Sequence, residues 1–83
     1  MKERYAYPAI FNYADDGISV SFPDLPGCFS CGQNDEDAQR MARDALSGHL
    51  LCMLKDGDMI PEPTPVDRVA VRANERAVLI ETL

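Results

Sequence analysis

The stretch from Asn34 to Gly57 reads as one long helix, and that helix dictates what the rest of so short a chain must be. Asn34 is placed to cap it, its side chain accepting from the backbone amide of Asp37. Asp35, Glu36 and Asp37 fill the first turn, where unpaired amides favour negative charge. Gly57 follows Asp56 as the left-handed residue that ends the helix, and Pro61 bars its resumption. At 100° per residue Ala38, Met41, Ala42, Ala45, Leu46, His49, Cys52 and Met53 fall on one stripe, and its alanines let the helix lie close on a sheet. Leu51 and Leu54 fall outside it, beside Arg40, Arg43, Asp44, Ser47 and Lys55. Two readings stay open for these leucines: cover by the proline-rich segment that follows, or contact with a subunit or partner.

The sheet is written before the helix. Tyr5, Tyr7, Ala9, Phe11 and Tyr13 alternate with Ala6, Pro8, Ile10 and Asn12, which is a strand, and Pro8 suggests an edge or an early position in it. Ala14-Asp15-Asp16-Gly17 is a hairpin loop, because glycine accepts the positive φ such loops need. Ile18, Val20 and Phe22 alternate with Ser19 and Ser21, so the second strand buries one face. Pro23 to Gly27 is a tight turn, and Cys28 to Gly32 returns as a third strand. After the helix, Ile60 to Pro65 is a stiff extended crossing. Val69 and Val71 hint at a short strand, and Ala77 to Ile80 suits a buried final strand. The expected fold class is therefore α+β in the order β-β-β-α-β: an antiparallel meander, one helix packed on it, and a C-terminal strand. A chain of 83 residues is one domain, spanning 1–83.

Charge narrows the function. Fourteen Asp and Glu stand against eight Lys and Arg, for a formal net charge of −6. No Lys or Arg occurs from Tyr5 to Gln39, while Asp15, Asp16, Asp24, Asp35, Glu36 and Asp37 all do. Such a surface repels phosphate backbones, which argues against direct nucleic-acid binding by this chain and suits a basic partner. The meander brings Asp15 and Asp16 to the same end of the sheet as Asp35, Glu36 and Asp37, with Asp24 at the other, so those five form an acidic rim. The apolar runs fall far short of the roughly 20 residues that cross a bilayer, and Met1 to Tyr7 lacks a signal-peptide core; a soluble cytoplasmic protein with no membrane contact is expected.

Enzyme chemistry finds little support. The odd set Cys28, Cys31 and Cys52, without an export signal, argues against disulfides. Cys28-x-x-Cys31 with His49-x-x-Cys52 superficially supplies four zinc ligands. On one strand, however, Cys28 and Cys31 point to opposite faces, and His49 and Cys52 sit mid-stripe on the expected core face. The acidic rim offers a divalent cation only loose loop ligands. His49 has no serine or cysteine paired with it, and no glycine-rich phosphate loop occurs. No catalytic residue and no cofactor is expected.

Tyr7-Pro-Ala-Ile-Phe11, Asp16-Gly-Ile-Ser-Val-Ser-Phe-Pro-Asp-Leu-Pro-Gly-Cys28, Gly32, the acidic helix start with Ala38, and Asp56-Gly-Asp-Met-Ile-Pro-Glu-Pro63 resemble the HicB antitoxin family from about residue 5 to 65. The resemblance implies a partial RNase H-like fold, with the segment from Ala77 as the last strand. It implies an antitoxin of a type II toxin–antitoxin system that binds and neutralises a small basic HicA-like toxin, an mRNA endonuclease. Nucleases of RNase H-like ancestry carry carboxylates inside their strands, whereas Ala9, Phe11, Val20 and Phe29 stand at that kind of position here. Complete family members usually continue into a ribbon-helix-helix or helix-turn-helix domain; this chain stops at Leu83, so no C-terminal DNA-binding domain is expected in it. The alternative is an orphan module of the same fold that has no toxin and self-associates through Leu51, Leu54 and an open sheet edge, and a homo-oligomer is expected.

Overall fold

The structure, a computed structural model, describes residues 4–82. Its elements are β1 (Ala6–Ala14), β2 (Gly17–Ser21), β3 (Phe29–Gly32), α1 (Asp35–Asp56), a 3-10 turn (Val66–Arg68) and β4 (Glu75–Glu81). The strands form one antiparallel sheet in the order β3-β2-β1-β4, with α1 packed on one face. The expected β-β-β-α-β order and the meander are both present.

The hairpin closes through Asp15 and Asp16, with Ala14 opposite Gly17 and the register running to Ile10 opposite Ser21. Gly17 has φ 144°, a conformation that favours glycine. Paired residues share a face, so Tyr7, Ala9 and Phe11 of β1 align with Val20 and Ile80 beneath the helix, and all are buried.

Of the two placements Pro8 suggested, the early one holds: it is the third residue of β1, which is interior to the sheet and not an edge. Tyr13 N donates to Asn74 O on the β4 side, so the amides of even-numbered β1 residues face β2. The β1–β2 ladder stops at the Ile10–Ser21 pair. Pro8 lies beyond that end and removes no ladder bond, which is why an interior strand tolerates it.

The final strand is also not the fully buried one that its apolar run suggested. As the edge strand β4 it alternates, with Ile80 buried inward and Leu79 exposed outward. Thr82 N donates to Tyr5 O at 2.8 Å and its Oγ1 accepts from Tyr5 N at 3.0 Å, carrying the ladder past both strand ends. Val69 and Val71 belong to no strand.

The helix begins and ends where its signals lie. Asp37 N donates to Asn34 Oδ1 at 2.8 Å, and Gly57 closes the helix at φ 74°. Its buried line is Ala38, Ala42, Leu46 and Leu50. Leu50 takes the place in the core expected of His49 and Cys52, which are half-buried and exposed respectively. A spacing of strictly four residues advances the buried line by 40° per step, and by the last turns that drift brings Leu50 under and rotates Cys52 out.

Helix and sheet meet closely at Gly32. A Cβ there would lie 2.4 Å from Ala38 N and 2.5 Å from Ala38 Cα. The pairing of a residue without a side chain with a small one sets how near α1 approaches β3. The crossing back to β4 is held by the Tyr7 hydroxyl donating to Pro61 O, and by Thr64 N and Oγ1 donating to the Asp24 carboxylate at 2.9 and 2.6 Å. Among the described residues, no helix is long and apolar enough to cross a membrane.

Candidate functional site

The acidic hairpin loop and the helix start come together as the meander requires. Asp15, Asp16 and Asp35 line one shallow hollow with Tyr13, Gln33 and Asn34, and Glu36 and Asp37 continue the rim along the first helical turn. Tyr13 on β1 donates from its hydroxyl to Asp35 Oδ1 at 2.5 Å. Gln33 N donates to Asp37 Oδ2 at 3.0 Å, and Arg40 reaches Asp37 Oδ1 at 2.5 Å. These donors hold the Asp37 carboxyl below the usual carboxylate range, the Gln33 amide most strongly. Partial burial first, and then the bond to Asp35, push the Tyr13 hydroxyl up.

The rim is not as unopposed as the charge count along the chain implied. Arg76 comes from β4 to within 3.6 Å of Asp35, and Arg40 reaches back from the second turn of α1. Both lie outside the Tyr5–Gln39 stretch in sequence and beside its carboxylates in space. Among the described residues these two ion pairs engage Asp35 and Asp37, leaving Asp15, Asp16 and Glu36 as the outward charge.

The four candidate zinc ligands are not assembled. Cys28 is buried just before β3, on the helix side, where its thiol donates to Ala45 O at 3.7 Å and desolvation raises its pKa. Cys31 is exposed, with its partner Ser19 on the face of the sheet away from the helix. His49 and Cys52 lie together far along α1, beside the turn after β2. Among the described residues no three His, Cys, Asp or Glu side chains group as a metal site.

Leu51 is 55% exposed and Leu54 38%, so the crossing segment does not cover them. Ala9, Phe11 and Val20 fill the sheet face beneath the helix, but Phe29 does not join them; it is 68% exposed on the opposite face, because it pairs with Ser21. A feature that pattern reading missed is a groove at the far end of α1, where Asp24, Asp56 and Asp58 surround Leu25, Met53 and Met59. The sequence signal was the Asp56-Gly-Asp-Met59 run, but only the fold brings Asp24 beside it.

The family described as "HicB_like antitoxin of bacterial toxin-antitoxin system" matches residues 7–81. A 14.9 kDa protein from the rep-hol intergenic region of Haemophilus phage HP1 is 39% identical over 62 residues, covering 75% of this chain and 47% of that one. Antitoxin HicB 2 of Photorhabdus laumondii is 34% identical over 64 residues, covering 77% and 46%. The chain thus spans slightly less than half the length of these relatives. In structure, a chain of a toxin–antitoxin complex from Streptococcus pneumoniae superimposes with a TM-score of 0.87 at 17% identity, over 95% of this chain and 69% of that one, a likeness of fold.

Proposed function

Because the chain belongs to the HicB-like antitoxin family, we propose that it acts as an antitoxin, binding and neutralising a small basic HicA-like mRNA endonuclease in the cytoplasm. The match of that family over residues 7–81 carries this reading. The role is one of binding and not of catalysis, as the family match implies, and Ala9, Phe11 and Val20 fill the strand interiors under the helix.

Charge supplies the physical reason for the pairing. A nuclease that grips RNA must be basic, and an acidic antitoxin attracts it and competes with RNA for the same surface. The outward charges of the rim, Asp15, Asp16 and Glu36, steer the encounter, with Asp35 and Asp37 adding what Arg76 and Arg40 leave. Neutralising Asp15, Asp16, Asp35 and Glu36 together slows association and flattens its salt dependence, with little effect on the melt, because exposed charges contribute little to stability. Co-expression with the candidate toxin tests the function directly: the pair co-purifies and RNA cleavage stops at micromolar antitoxin. Separate elution with undiminished cleavage refutes it.

The exposure of Leu51 and Leu54 favours one second reading, self-association through the outer side of α1. Light scattering on Leu51→Glu decides it; a dimer that survives the substitution removes that leucine from the interface.

A further inference from the structure

The groove at the C-terminal end of α1 has a chemistry that the acidic rim lacks. Its floor is apolar, with Leu25 buried beneath and Met53 half-buried along α1. Its lip is Met59, which is 90% exposed: a flexible, polarisable side chain displayed where it can adapt to another surface. Gly57 N donates to Leu54 O and Asp58 N to Met53 O, so the helix cap itself holds Asp58 and Met59 at the mouth.

Three carboxylates, Asp24, Asp56 and Asp58, stand around that apolar floor, and among the described residues no lysine or arginine lines it. The negative end of the helix dipole adds to them. At the rim the balance is the reverse: the dipole is positive there, and Arg40 and Arg76 already engage two of the acids. A cation entering the groove therefore meets Asp56 and Asp58, with Asp24 behind them accepting from Thr64, together with apolar surface for its neighbours.

We propose that this groove is the anchoring surface for the basic partner, taking a segment in which a lysine or arginine lies between apolar side chains. The proposal rests on the antitoxin reading, in which the partner is a basic toxin. Two other occupants fit less well. A metal ion lacks a grouped ligand set among the described residues. A second copy of this chain would bring another net charge of −6 to an acidic mouth. Anchoring and steering then divide between the two ends of α1: the rim sets how fast the toxin arrives, and the groove sets how long it stays.

Full-length chain and inactivated toxin, followed by biolayer interferometry, separate these roles. Met59→Asp and Asp58→Lys each speed dissociation about tenfold or more, as losses at a central contact do. Asp15→Lys with Asp16→Lys slows association and leaves dissociation within about twofold. Both groove positions are exposed, so the variants keep the wild-type melt. A wild-type complex whose dissociation neither groove substitution changes overturns the groove while leaving the antitoxin reading standing. No wild-type complex at all overturns the antitoxin reading first. If Met59→Asp abolishes a dimer of this chain but leaves toxin dissociation alone, the groove is a self-association surface and the proposal fails.

Discussion

Replacing Gly32 and Gly48 in turn by alanine, the same chemical change twice, should move stability in opposite directions. At Gly32 the new Cβ would stand 2.4 Å from Ala38 N, 2.5 Å from Ala38 Cα and 2.9 Å from Ala38 Cβ. Comfortable carbon contacts lie at about 3.5–4.0 Å, so the start of α1 must retreat from β3 by about 1 Å. The obstructing atoms are mostly backbone of the turn that Asn34 caps, so no side-chain rotation relieves them. Overpacking costs about 1–3 kcal/mol, and a backbone clash belongs at the upper end. Against a total stability of about 4–12 kcal/mol for a domain of this size, that is a large fraction. At about 4–8 °C per kcal/mol, Gly32→Ala lowers Tm by at least about 10 °C. Gly48 lies inside α1, and a Cβ there meets nothing within 4 Å among the described residues. Alanine recovers about 0.5–1 kcal/mol of backbone freedom otherwise lost on folding, and Tm rises by a few degrees. Circular dichroism melts and urea titrations of both variants provide the assay. A Gly32→Ala protein melting within a degree of wild type would refute the close helix–strand approach.

Three further outcomes follow from particular contacts. Tyr7→Phe leaves the Pro61 carbonyl without its donor and destabilises by about 1–2 kcal/mol in urea titrations, with the largest gain in amide exchange at Ile60, Glu62 and Thr64. Iodoacetamide modifies the exposed Cys31 and Cys52 in the native chain and reaches the buried Cys28, whose thiol burial pushes up, only after unfolding; mass spectrometry counts the adducts. Asp37 and Glu75 have carboxyls held low in the folded state, Asp37 by the Gln33 amide and then Arg40, Glu75 by Asn12 and then the Arg72 amide. Their contribution is present above the ordinary carboxylate pKa and is lost as pH falls through the lower folded values. Asp37→Asn with Glu75→Gln therefore flattens the acid limb of a Tm-against-pH curve, and an unchanged limb refutes the assignment.

Local chemistry was legible wherever one residue and its near neighbours decide the outcome. Asn34 and Gly57 bound the helix as cap rules require, and Gly17 closes the hairpin. Reading failed where the deciding neighbour is remote in sequence. Pro8 left an edge position open beside the early one it occupies, because nothing in its own strand says that β4, some seventy residues later, will pair along its other side. His49 and Cys52 looked like core because an ideal period cannot foresee which side of a long helix the sheet meets at its far end.

The site divides in the same way. Alternation, caps and turn residues by themselves determined the β-β-β-α-β order and placed Asp15 and Asp16 at the helix start, since short connections leave a meander little choice. Only the tertiary structure decided what those charges amount to. Arg76 reaches Asp35 because β4 pairs with β1 in a register that sets it opposite Phe11, and Asp24 joins Asp56 and Asp58 because the turn after β2 falls beside the end of α1. Charge along a chain is a sum, whereas the field a partner meets depends on distances, and folding sets those.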